Sequence, residues 1–307
     1  MKTEDQILKK LKNLIYISLS IGALATVLRV IGVIFAFDTG VEYFDVNSPI
    51  NIFSSALMLA AIGLCISLGF VFRAKISRDQ KFLKKTEKVS FVLGAALLAY
   101  GVFELYRLFA LKDVLRSNQL AWSVVGVLLS FVAAAYFLGS FIGSAKRDPY
   151  SLLLGFGFIF WCAYVMAVNY FDVYTTLNNP IKLSMQIALI ATMFCLLCEF
   201  RIRLGEEKPC QHLTISLLTA TLSAYFFVPT IICYALGKTQ NLRYLFAAIA
   251  CLAICSYATR TSFLFSDAVQ ESNVADDTDG EENTDCSSDS SDEPDIDNND
   301  PEVENDG

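Results

Sequence analysis

The chain has 307 residues, 54% of them hydrophobic, with 24 Phe, 13 Tyr and a mean hydropathy of +0.48. A soluble domain of this length cannot bury so much apolar surface, so the composition excludes a water-soluble globular protein and makes lipid the solvent for most of the chain. The formal charge of -7 is segregated: residues 267–307 hold 17 Asp and Glu and no Lys or Arg, leaving a surplus of ten basic groups in residues 1–266.

A membrane-crossing helix needs about 20 apolar residues, and eight runs reach that length: 13–37, 52–72, 89–111, 121–143, 151–171, 183–200, 213–236 and 244–265. In lipid the backbone must satisfy its own hydrogen bonds, so each run is expected to be helical and the fold an all-α, polytopic membrane bundle. Short connections make consecutive helices antiparallel neighbours, and eight crossings put both termini on one side. Lys9, Lys10 and Lys12 precede a first run that contains Ala23-Leu24-Ala25, as in a cleavable leader. That run continues unbroken to Phe37, a length that suits a spanning helix better.

The connection after the first run, Tyr43-Phe44-Asp45-Val46-Asn47-Ser48-Pro49-Ile50, is echoed at Tyr170-Phe171-Asp172-Val173 and Asn178-Asn179-Pro180-Ile181. Each copy ends in a helix-start signal, a capping Ser or Asn followed by proline at the first helical position, where a missing amide proton costs nothing. Arg73-Ala74-Lys75 and Arg201-Ile202-Arg203 follow the next helices; Ala99-Tyr100 matches Ala224-Tyr225, Ala110-Leu111 matches Ala235-Leu236, and Tyr136 matches Tyr257. The constant order predicts two parallel four-helix repeats, 1–144 and 145–266, followed by a disordered acidic tail over 267–307. Asp45, Pro49, Asp172 and Pro180 mark the equivalent hinges.

Lys and Arg set the orientation. Sixteen lie in the connections on the amino-terminal side, seven of them between Arg73 and Lys88, against five on the other. Both termini are therefore expected to be cytoplasmic in a cell membrane, with the hinges outside.

Ionisable groups within spans are costly and few. Glu199 and Arg260 fall near cytoplasmic helix ends and read as interfacial anchors. Arg29 and Glu104 each lie about seven residues, or about 10 Å, below the outer ends of their helices, and equal depth pairs them. Tyr100, Glu104 and Arg107 share one helix face at i, i+4 and i+7. Where helix 3 carries that stripe, helix 7 carries Tyr225 and Pro229, and the proline would free the Tyr225 carbonyl. Together Arg29, Tyr100, Glu104, Arg107, Tyr225 and Pro229 form the candidate polar site, open to the outer face and suited to a small solute or ion. The same residues also fit a structural ion pair with Arg107 snorkelling and a packing kink at Pro229.

Other signals point to packing or to nothing specific. Cys195-x-x-Cys198 has a metal-like spacing but lies on an apolar run without a second pair, and His212 reads as a lone surface histidine in a connection. Gly155, Gly157 and Gly139-x-x-x-Gly143 are expected to let helices approach, while Tyr43, Tyr170 and Trp122 suit the membrane interface. The chain lacks H-E-x-x-H, G-x-S-x-G and a phosphate-binding glycine loop, so no enzyme activity, metal, cofactor or nucleic-acid partner is expected. Asp295, Asp297 and Asn299 begin like a calcium loop, but Asp300, Pro301 and Asp306 break its pattern. Ser287-Ser288-Asp289-Ser290-Ser291-Asp292-Glu293 would suit an acid-directed kinase. The expected function is binding or transport of a small solute or ion, the alternative being a non-transporting scaffold or sensor whose tail meets a protein partner.

Overall fold

The computed structural model describes residues 2–38, 43–44, 48–71, 87–110, 117–142, 149–171, 179–204 and 209–279, with side chains placed over the parts that span the bundle. Asp45, Asp172, most of the basic connection after Arg73 and the calcium-like and serine-rich parts of the tail lie outside the described residues.

Eight helices follow one another: α1 (Lys2–Ala36), α2 (Pro49–Val71), α3 (Glu87–Ala110), α4 (Ser117–Ile142), α5 (Pro149–Tyr170), α6 (Pro180–Arg203), α7 (Pro209–Ala235) and α8 (Leu242–Asp279). Each contains a segment long and apolar enough to cross a membrane. Pro49 and Pro180 open α2 and α6 as their sequence context requires, and Pro149 and Pro209 do the same for α5 and α7. At α6 the Asn179 side chain accepts from the backbone N–H of Ile181 at 2.8 Å and of Lys182 at 3.4 Å, a capping arrangement that satisfies two otherwise orphaned donors.

Two features depart from a purely helical reading. Phe37–Asp38 (β1) and Tyr43–Phe44 (β2) form a minimal antiparallel ladder, with Phe37 opposite Phe44 and Asp38 opposite Tyr43. In the second sequence copy, Tyr170 ends α5 and Phe171 is a turn whose N–H donates to the Ala167 carbonyl at 3.0 Å. The same dipeptide thus pairs as a strand in one connection and closes a helix in the other. α8, for its part, runs to Asp279, past the expected start of the tail at 267. The physical reason is local: no Gly or Pro, the strongest helix-ending residues, occurs between Leu242 and Asp279.

Each helix from α3 to α8 packs on the next, and α8 returns to α3, so six helices close a ring. α1 lies outside against α7 and α8, and α2 packs on α1 and α7. The ring takes two helices from residues 1–144 and four from 145–266, so packing cuts across that boundary. We call the face where α1 begins the near face and the other the far face.

Small residues set the closest approaches. A Cβ on Gly155 would meet the Phe200 ring of α6, and one on Gly157 would meet the Val132 side chain of α4. Gly139, by contrast, has nothing within 4 Å of an added Cβ, so it is not a contact point, and Gly143 lies outside the described residues. Hydroxyls link helices where the environment is driest: Ser54 donates to the Ala25 carbonyl at 3.0 Å, Thr219 to the Ala191 carbonyl at 2.9 Å, and Ser216 and Ser262 share a hydrogen bond at 2.8 Å.

Polarity is inverted relative to a soluble bundle. Phe35, Phe53, Leu59, Phe70, Tyr106 and Leu153 are exposed, while Glu104, Glu199, Lys182 and His212 are buried. Apolar exposure on this scale requires lipid. The chain is a multi-pass membrane protein.

Candidate functional site

The far end of the ring is organised by Glu104, whose side chain is fully buried on α3. Arg243 in the first turn of α8 holds it with two hydrogen bonds, Nε to Oε1 at 2.9 Å and Nη2 to Oε2 at 3.4 Å. Arg107, one turn along α3, places Nη1 3.7 Å from Oε1. One carboxylate therefore faces two guanidinium groups, and the cluster carries one surplus positive charge when all three are ionised.

Equal depth does not produce the Arg29–Glu104 pair. Glu104 pairs with Arg243 and Arg107, and the Arg29 guanidinium lies over the Tyr225 ring at 5.4 Å from its centroid. The reason is lateral: α1 packs on α2, α7 and α8, and α3 packs on α4 and α8, so α8 is the helix that α3 offers its carboxylate to. Tyr225 also shares a hydrogen bond with Ser54 of α2 at 3.1 Å. Five of the six candidate residues thus divide into two groups, Tyr100, Glu104 and Arg107 on one side and Arg29 with Tyr225 on the other. Pro229 is buried within α7, which continues through it to Ala235.

Arg243 falls one residue before the apolar run 244–265, because a charged residue beside the span delays the apparent start of the helix. The available signal was Asn241. Its Oδ1 accepts from the Arg243 N–H at 3.1 Å and its carbonyl accepts from Tyr244 and Leu245, marking it as the cap of α8.

A second buried carboxylate sits at the near end. Glu199 of α6 is fully buried rather than an interfacial anchor. Arg203, one turn on, donates to Oε1 from Nε at 3.0 Å and Nη2 at 2.6 Å, and the Tyr257 hydroxyl of α8 donates to Oε2 at 2.6 Å. The Arg203 guanidinium also stands over the Tyr136 ring, 5.9 Å from its centroid. His212, expected at the surface, is buried in the first turn of α7 within electrostatic reach of Glu199 and Arg203. Helix ends here are packed, and closeness to a terminus did not mean contact with water. Arg260 is exposed, as an anchor should be.

Between the clusters the ring is filled by aromatic side chains. Tyr100 meets Trp161 edge-on at 5.2 Å, Trp161 stacks with Phe158 at 5.6 Å, Phe158 meets Phe137 edge-on at 5.1 Å, and Phe137 meets Tyr257 at 5.8 Å. This column connects the residue one turn from Glu104 to the residue that donates to Glu199. Beside the far cluster lies a cavity of about 20 Å³ whose polar lining is Tyr100, Asn169, Asn241, Arg243 and Tyr244. An apolar groove of about 580 Å³ opens outward between α5 and α6, lined among others by Met166, Gln186, Ile190 and Phe194.

Cys195 and Cys198 are free thiols, the first buried and the second half-buried. Among the described residues no three His, Cys, Asp or Glu side chains gather as a metal site would require. Two lysines act as helix-end tethers: Lys182 Nζ donates to the Tyr170 carbonyl at 3.3 Å, and Lys238 Nζ donates to the Val33 and Ile34 carbonyls at 2.7 and 3.0 Å.

Comparison of the chain with protein-family models, with curated proteins and with solved structures found no match.

Proposed function

We propose that this membrane protein binds a small solute or ion within the six-helix ring and carries it between the two faces, with both termini cytoplasmic and no enzymatic step. The observation that supports it is the pair of buried carboxylates, Glu104 and Glu199, at opposite ends of one ring. Each is closed by an arginine, and each is contacted by a different part of α8, through Arg243 and Tyr257. Ionised groups at such depth are kept where they recognise or move something polar. In this reading the two clusters are the outer and inner closures of the ring, and α8 is the element whose displacement opens one or the other.

The test is uptake into proteoliposomes by purified protein, over a panel of inorganic ions and small polar solutes. Glu104→Gln and Tyr257→Phe should lower uptake per folded molecule, beyond any loss of abundance. Uptake by neither wild type nor empty vesicles, or variants that lose activity only in proportion to abundance, would overturn the proposal.

One observation favours the second reading, a non-transporting scaffold or sensor: aromatic rings fill the space between the clusters. On that reading removal of the acidic segment after Asp279 abolishes capture of a protein partner and leaves solute flux at background.

A further inference from the structure

The cavity at the far end has the chemistry of an anion site. Its floor is the start of α8, where the Arg243, Tyr244 and Leu245 N–H groups are capped by Asn241 and the helix dipole still presents partial positive charge. Arg243 lines it with two of its five N–H groups committed to Glu104 and no other acceptor for the rest among the described residues. A third donor is independent of α8. Asn169 on α5 is 6% exposed, lines the cavity, and its Nδ2 has no hydrogen-bond partner among the described residues. A buried donor of that kind costs about 1–3 kcal/mol unless something accepts from it.

The remaining walls limit what that acceptor can be. Val165, Val168, Met185 and Ala247 supply apolar surface, which strips water from an occupant. Among the described lining residues none is an Asp or Glu, and Glu104 already faces two guanidinium groups, so the described walls offer a bound cation no carboxylate. The volume of about 20 Å³ exceeds the room one water-sized particle needs and is too small for an organic acid. A water would satisfy Asn169 but would leave the surplus positive charge of Arg107 and Arg243 over Glu104 unanswered.

We propose that this cavity, bounded by Asn169, Asn241, Arg243, Tyr100 and Tyr244, is a binding site for one small inorganic anion of halide size. The inference rests on the reading of the ring as a small-solute or ion binder and names the class of solute. Asn169 Nδ2 and the remaining Arg243 N–H groups donate to the ion, and the start of α8 and the cationic excess of the cluster supply the field.

The test uses the purified full chain in detergent, with sodium chloride or bromide exchanged for sodium gluconate at constant ionic strength. Halide should raise the melting temperature saturably by about 3 °C, while gluconate should leave it unchanged. Asn169→Asp, which sets a carboxylate in the site, should weaken the halide response at least ten-fold, and Asn169→Ser should weaken it less. Equal melting in chloride and gluconate would overturn the proposal and leave the cavity to a water. A wild-type response in both variants would overturn it by placing the halide elsewhere. Saturable binding without halide uptake into vesicles would sink the transport reading alone. Uptake of another solute without a halide response would sink the anion site alone.

Discussion

Replacing Glu104 by Leu removes the one carboxylate that the described residues place at the far cluster and leaves two guanidinium groups facing each other. Breaking a buried ion pair from one side costs about 3–5 kcal/mol. Arg243 and Arg107 retain 25% and 22% side-chain exposure, which lets them recover some hydration and puts the expected loss near the low end, about 3 kcal/mol. Glu104→Gln keeps an acceptor for Arg243 Nε and should lose about 1.5 kcal/mol. The double change Glu104→Leu with Arg243→Leu removes one uncompensated charge together with its partner, so it should recover about 1–2 kcal/mol relative to the sum of the single losses. Glu104→Leu with Arg29→Leu should instead be additive within about 0.5 kcal/mol, because Arg29 faces Tyr225. Reversible unfolding in mixed micelles, followed by tryptophan fluorescence, measures all of these free energies. Coupling below about 0.5 kcal/mol for Arg243, or a larger coupling for Arg29 than for Arg243, would refute the assignment of the pair.

At the near cluster, Tyr257→Phe deletes the hydroxyl that donates to Glu199 Oε2 and leaves one carboxylate oxygen short of a partner. The expected destabilisation is about 2 kcal/mol in the same unfolding assay, with a change under about 0.5 kcal/mol counting against a structural role for that bond. Gly155→Ala drives a methyl group against the Phe200 ring and should cost about 1–3 kcal/mol by overpacking the α5–α6 seam, whereas Gly139→Ala, with open space around it, should be neutral in the same measurement.

How much was legible follows from what a linear sequence encodes. Hydropathy located the eight helices, and the Ser48-Pro49 and Asn179-Pro180 pairs located two of their starts, because caps are local. The face shared by Tyr100, Glu104 and Arg107 was also legible, since i, i+4 and i+7 fix it without reference to any other helix. Partners were not legible. Depth along a helix can be counted, but which side of the helix meets which neighbour is decided by the closing of the ring, and that is why Arg29 was paired with Glu104 in place of Arg243. The same gap explains Glu199 and His212. Both lie within a turn or so of a helix end, where charge ordinarily meets water, and only the packing of α6, α7 and α8 buries them. Nor did the repeated Tyr-Phe dipeptide carry one backbone conformation, because strand pairing at Tyr43-Phe44 depends on a partner, Phe37-Asp38, lying close by.

The column from Tyr100 to Tyr257 has an electrical consequence. Arg243 and Tyr257 are 14 residues apart on α8, about 21 Å at the helical rise, and the rings of Tyr100, Trp161, Phe158 and Phe137 occupy that interval. In an energised membrane most of the voltage falls across such a stretch, and moving one elementary charge through the full drop involves about 2.3 kcal/mol for each 100 mV. On the transport reading, a charge passed from one carboxylate cluster to the other along this column would cross most of that drop, so its movement should depend on membrane voltage.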